Sequence, residues 1–214
     1  MIVSYSRNFI FIKTFKAAGT TIEAVLASGC GPNDIITKAE GDTYPGSDIP
    51  ISGRVGLDKR HKNSRGFLTH MNAAKVRPKL DPGFWDNALK LTAERHPYEK
   101  AVSQAFFRLK RKPPNESFEQ FLDGVIDKGQ YADFPMWSID GKPVIDEFIR
   151  QENLEADLSR VCTQLGFAMP DELPRLKSRM RTDRRPAREI LSDEQKRKIY
   201  DTCREDFEIL GYER

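Results

Sequence analysis

Apolar positions along this chain fall into two rhythms, and their alternation outlines the fold. Phe9-Ile-Phe-Ile12 is an unbroken apolar run. Short β-branched and aromatic runs of this kind form strands covered on both faces in a parallel sheet. From Thr20 to Leu26 the spacing changes, with Ile22, Val25 and Leu26 on one side of a helix. Gly66-Phe-Leu-Thr-His70 reads as a short strand ending in a histidine, and Met71 to Val76 opens a helix. Ala88 to Ala93 gives a third strand. Pro97, at a position where a helix tolerates proline, starts a helix continuing to Leu109.

The second half repeats the alternation. Phe118 to Ile126 reads as a helix capped by Asn115 or Ser117, and Asp140-Gly141 as a hairpin-type turn. Val144 to Ile149 is a further strand. An amphipathic helix from Asn153 carries Leu158, Val161 and Leu165 and stops at Gly166. A last helix runs from about Asp193 to Leu210, ahead of Gly211. Glu40 to Gly66 is a long Gly-, Pro-, Asp-, Ser- and Lys-rich connection, a length that usually marks a functional loop or disorder. Neither an internal repeat nor a low-complexity tract interrupts the order. Strands alternating with helices predict an α/β fold with a central, mostly parallel sheet flanked by helices. A length of 214 residues suits one domain over 1–214.

Charge and composition narrow the function without naming it. Apolar residues make up 38% and charged residues 31%, a globular balance. The net charge of +3 excludes a histone-like polycation and leaves room for a local anion site; no nucleic-acid partner is expected. Cys30, Cys162 and Cys203 are far apart and odd in number, so neither a disulfide framework nor a metal site is expected. No stretch has the length of a membrane span, and Phe9 to Ile12 is too short for a signal-peptide core. The expected location is the cytoplasm.

Two stretches carry chemistry. Lys16-Ala-Ala-Gly-Thr-Thr21 sits between the first strand and the first helix. Helix N-termini present unpaired N–H groups and a positive dipole end, and small residues let an anion approach the backbone. The backbone N–H groups of Ala18, Gly19, Thr20 and Thr21, the threonine hydroxyls and the Lys16 ammonium all suit a phosphate. A Walker A loop places its lysine after the glycine, and here the lysine comes before it. By itself the motif also fits a plain turn with a solvated lysine. In the second stretch, Glu94-Arg-His-Pro-Tyr-Glu-Lys-Ala-Val-Ser103, Arg95 follows a strand at the edge where open α/β sheets bind ligands. Ser103 lies two turns into the next helix. A guanidinium suits phosphate bidentately, although an arginine beside carboxylates also fits a structural ion pair.

Taken together, Lys-x-x-Gly-Thr-Thr after the first strand and Arg-x-Pro-x-x-x-x-x-Ser opening a later helix resemble the sulfotransferases that use 3′-phosphoadenosine 5′-phosphosulfate. Asp146-Glu-Phe-Ile-Arg-Gln-Glu-Asn-Leu-Glu-Ala-Asp157 and Glu205-Asp-Phe-Glu-Ile-Leu-Gly-Tyr212 are similar to the carbohydrate branch of that family. The resemblance runs from about Phe9 to Tyr212, with Glu40 to Gly66 and Lys110 to Trp137 unmatched. It implies a P-loop-like three-layer fold and a cofactor held by Lys16, Ala18, Gly19, Thr20 and Thr21 at its 5′-phosphosulfate. Arg95 and Ser103 would hold its 3′-phosphate. Ala17 departs from the pattern, since many relatives carry a hydroxyl there. The acceptor would be a carbohydrate or another small hydroxyl compound, and the reaction needs no metal.

The resemblance gives Lys16 the leaving oxygen and a histidine the role of base. His70 is the candidate, because His61 lies in the basic run Asp58-Lys-Arg-His-Lys62 and His96 reads as a helix-entry residue. Glu23 and Glu94 are the fallback bases. The basic stretch Arg175 to Arg188 suits either a flap, including some of Lys177, Ser178 and Arg181, or a solvated surface loop. Trp85, Trp137 and Phe134 suit either acceptor stacking or core packing. Two other functional readings remain open at this point. A nucleotide-dependent kinase would need the missing Walker A lysine, and a non-catalytic nucleotide-binding protein would explain Ala17.

Overall fold

The structure, a computed structural model, describes residues 1–37, 43–51, 54–55, 66–111, 117–174, 176 and 181–214. Its strands are β1 Ile2–Ser4, β2 Phe9–Ile12, β3 Ile35–Ile36, β4 Arg54–Val55, β5 Leu89–Glu94, β6 Ser138–Ile139, β7 Lys142–Pro143 and β8 Glu147–Arg150. Its helices are α1 Gly19–Ser28, α2 Ala73–Val76, α3 Pro82–Asn87, α4 Pro97–Leu109, α5 Phe118–Asp127, α6 Phe134–Trp137, α7 Leu154–Gln164, α8 Ala187–Ile190, α9 Asp193–Thr202 and α10 Arg204–Leu210. The chain divides into two compact units. One comprises 1–14, 18–94 and 135–176; the other comprises 15–17, 95–134 and the described part of 177–214.

The first unit is α/β. Its described strands form a six-stranded sheet in the order β4-β3-β1-β2-β5-β8. The β2–β5, β5–β8 and β3–β4 pairs are parallel, whereas β1 runs antiparallel to both β2 and β3. The expected mostly parallel sheet is therefore a mixed one, parallel where β2, β5 and β8 adjoin. The cause is the tight Tyr5–Asn8 connection, which joins β1 directly to β2; a short turn can return a chain only antiparallel. Asn8 adopts φ 53°, and the Asp34 carboxylate accepts the Tyr5 and Ser6 N–H groups, pinning that turn.

Every residue of β2 is fully buried, as its unbroken apolar run requires. Ile10 and Ile12 pack with Ala73, Val76, Leu80 and Trp85 of the α2–α3 region. Phe9 and Phe11, alternating with them, point to the opposite face. Helix α1 buries Ile22, Val25 and Leu26, and a Cβ on Gly29 at its end would lie 2.6 Å from the Phe167 ring that follows α7. Phe67 joins the α2–α3 side of the core. Residues 66–70 form turns rather than the expected strand: Gly66 takes φ 79°, and Phe67 serves as a hydrophobic plug rather than a sheet member. β8 starts at Glu147, later than the expected Val144. Asp140 and Gly141 adopt φ 51° and 72° between β6 and β7, as a hairpin turn demands.

The second unit is helical. Tyr98, Ala101, Val102, Ala105 and Phe106 of α4 pack with Leu122, Val125 and Ile126 of α5, and with Ala187, Leu191, Ile199, Cys203 and Phe207. Ser117 caps α5 in a reciprocal capping box with Gln120, and Ser192 caps α9 likewise with Gln195. The single helix expected from Asp193 to Leu210 is two helices, broken at Cys203, where φ is −117°. Cys203 is fully buried there, so the break turns an apolar side chain inward. All three cysteines are buried free thiols, and Trp85 and Trp137 are core residues. Among the described residues no helix is long and apolar enough to cross a membrane, and no cluster of His, Cys, Asp or Glu could hold a metal ion.

Candidate functional site

The loop from β2 to α1 places two left-handed non-glycine residues within three positions. Lys16 and Ala18 adopt φ 57° and 56°. Left-handed backbone costs a non-glycine residue about 1–2 kcal/mol, and it persists only where the surroundings over-determine it. Alternation of right- and left-handed residues is one way a backbone builds an anion-binding concavity.

In the α/β unit, Ala18 stands at the N-cap of α1 without a side-chain capping bond, and the first turn contains no acidic residue. The Ala18 carbonyl accepts the Thr21 and Ile22 N–H groups, which closes the turn behind Gly19 and Thr20. The Thr21 hydroxyl is already engaged, donating to the Pro174 carbonyl at 3.0 Å. A Cβ on Gly19 would lie 3.1 Å from Lys13 Cγ, so glycine lets the helix start pass close to that side chain.

His70 belongs to the same unit and is exposed, in a turn rather than at a strand end. Its Nδ1 lies 3.0 Å from the Lys13 carbonyl. A carbonyl only accepts, so Nδ1 carries the proton and Nε2 bears the lone pair of the neutral ring. That is the tautomer a general base needs. Glu23, a fallback base, is excluded by its surroundings. It is fully buried against the Lys13 ammonium, the Met1 α-ammonium and the Tyr44 hydroxyl. Burial would raise its carboxyl, but the two ammonium groups outweigh it and bring it down to about 2. Glu94, also buried, accepts from Trp137 Nε1 at 2.8 Å.

In the helical unit, Lys16, Arg95 and Ser103 are organised by α4. Glu99, Ser103 and Phe107 follow one another at intervals of four along α4, which makes them neighbours in one row of the helix, while Arg95 precedes the His96 N-cap and Arg111 follows the Lys110 C-cap. The Lys16 Nζ lies 4.2 Å from the Phe107 ring centroid, and the Arg111 guanidinium is at the same distance from that ring. Arg95 pairs with Glu99 at 3.0 Å, and Arg181 pairs with the same carboxylate oxygen. Ser103 is half-buried between these two groupings. Burial would raise the Glu99 carboxyl; the Ala187 N–H and the two guanidiniums hold it below the usual carboxylate range. His96 is the helix-entry residue expected, accepting the Tyr98 N–H at Nδ1.

His61, Lys177 and Ser178 lie outside the described residues. Sequence reasoning missed the roles of Lys13, Glu99 and Asp133. Glu99 was detectable from its four-residue offset to Arg95; Asp133 gave no local signal, because its partners are distant in sequence. Comparisons of the chain with family models, with curated proteins and with solved structures returned no match.

Proposed function

We propose that this chain is a sulfotransferase of the P-loop-like, three-layer kind. In this reading it moves a sulfuryl group from 3′-phosphoadenosine 5′-phosphosulfate to the hydroxyl of a carbohydrate or another small compound. The observation that supports the reading is the row Glu99, Ser103 and Phe107 on α4. The Lys16 ammonium is seated at Phe107 and the Arg95 guanidinium at Glu99, with Ser103 between them. Phe107 and Glu99 are eight residues apart, about 12 Å along the axis. A nucleotide bearing anionic groups at both its 3′ and 5′ positions suits two cations with anchors at that spacing. The donor set agrees: a guanidinium fork and a hydroxyl for the terminal phosphate, and an ammonium with helix N–H groups for the phosphosulfate.

The bound cofactor supplies an activated sulfuryl group whose leaving oxygen gains negative charge. The Lys16 ammonium would stabilise charge there, an interaction stronger in the transition state than before it. The N–H groups of Ala18, Gly19 and Thr20 would hold the 5′-phosphate; the Thr21 N–H, expected to join them, is instead donated to the Ala18 carbonyl at 2.9 Å. Arg95 and Ser103 would hold the 3′-phosphate, and His70 Nε2 would take the acceptor's proton.

Calorimetric titration with 3′-phosphoadenosine 5′-phosphate tests this, with ATP and adenosine 5′-phosphate as comparators. The expected result is binding that requires the 3′-phosphate and weakens at least about tenfold in Arg95→Ala, the scale of a charged hydrogen bond. Equal binding of ATP, or none of the bisphosphate, would overturn it.

A further inference from the structure

Beneath the Phe15–Lys16 turn, the helical unit buries three charged side chains. Lys100 of α4 and Asp206 of α10 are fully buried, and Asp133 is 1% exposed. Lys100 Nζ lies 2.9 Å from Asp133 Oδ2 and 3.8 Å from Asp206 Oδ1. The same Asp133 oxygen accepts the Phe15 N–H at 3.0 Å. Two carboxylates and one ammonium in a dry interior form an expensive arrangement. Neither Asp206 oxygen has a hydrogen-bond partner among the described residues. An apolar trio would hold the helices together at less cost, so the core has no packing need for these charges.

We propose that Asp133, supported by Lys100, is the positioning residue of the anion loop. It grips the backbone at Phe15, the residue immediately before the left-handed Lys16. A backbone in that region relaxes unless both sides are held. Asp133 holds one side through the Phe15 N–H, and Phe107 holds the other through the Lys16 ammonium. Asp133 touches no reacting atom in this scheme. It sets where the Lys16 side chain leaves the turn, and Lys100 orients its carboxylate from below. The ligand-binding consequence rests on the sulfotransferase reading; the effect on the loop does not.

Asp133→Ala and Asp206→Asn together make the test, because each removes one carboxylate from the same buried trio and leaves Lys100 a partner. Only the first removes the acceptor of Phe15. Amide hydrogen exchange reads the loop without any ligand. Asp133→Ala should speed exchange at Phe15 by about tenfold or more, the worth of a hydrogen bond to a carboxylate, while Asp206→Asn leaves it near wild type. Asp133→Asn, whose amide oxygen still accepts, should restore most of the protection. Titration with 3′-phosphoadenosine 5′-phosphate should follow the same order, with affinity lost in Asp133→Ala alone. Equal changes in Asp133→Ala and Asp206→Asn, or unchanged Phe15 exchange in Asp133→Ala, would overturn the proposal even if the wild type binds the nucleotide. Differential exchange in a protein that does not bind the nucleotide would support Asp133 as the loop's anchor and sink the sulfotransferase reading instead.

Discussion

Lys16 and His70 differ in what their surroundings prepare them to do. Lys16 carries backbone strain and has its ammonium seated over an aromatic face. On the proposed sulfotransferase reading, Lys16→Ala lowers kcat by about 10²-fold or more with a smaller change in KM, as loss of a group acting on developing charge does. Initial rates of sulfuryl transfer from 3′-phosphoadenosine 5′-phosphosulfate provide the check. His70 is oriented by the Lys13 carbonyl. On the same reading, His70→Ala should lower the rate by about 10²–10⁴-fold, the usual worth of general base catalysis. An unchanged rate would assign the proton to another group.

Among the elements, local sequence signals were legible wherever a helix or turn supplies its own partners. Ser117 with Gln120 and Ser192 with Gln195 close their capping boxes within four residues. Each Ser→Ala change should cost about 1 kcal/mol in chemical denaturation. Gly29→Ala should cost about 1–3 kcal/mol by forcing a methyl into the Phe167 ring. The helix at Pro97, the Asp140-Gly141 turn and the Gly166 stop were readable for the same reason, and β2 by its unbroken apolar run. β1 was not, since three residues give too little periodicity and its pairing is decided by the turn after it. The break at Cys203 was hidden because helical spacing continues through it. At the site, Lys16, Arg95 and Ser103 were legible as residue types in order. The ties among them, Glu99, Phe107 and Asp133, depend on packing that no single motif encodes.

For the molecule as a whole, two buried carboxyls pull stability in opposite directions with pH. Glu23, lowered from 4.5 to about 2, stabilises the folded chain fully above its unfolded value, and that contribution disappears as pH falls through 2. Asp206 is raised from 3.8 to about 6, first by burial and then by Asp133, against the pull of Lys100. The folded chain therefore binds the Asp206 proton more tightly than the unfolded one. That contribution is complete below about 4 and is lost as pH rises through about 6. Thermal unfolding of Asp206→Asn should show a smaller fall in midpoint between pH 4 and pH 8 than the wild type. Glu23→Gln should be destabilised near neutrality by about 3–5 kcal/mol, as buried pairs are when one partner is removed, and should lose less on further acidification.

Glu99 already occupies both the Arg95 and the Arg181 guanidiniums through a single oxygen. Any anion arriving at Arg95 therefore meets a resident competitor. A singly charged visitor offers the arginine little more than the carboxylate it would displace, whereas a doubly charged one gains the difference. The internal carboxylate would thus set a valence threshold, disfavouring monoanions such as chloride or a phosphodiester relative to dianions such as a phosphate monoester. Neutralising it in Glu99→Gln should tighten binding of all anions in a titration series and compress the gap between mono- and dianions, so that selectivity falls as affinity rises.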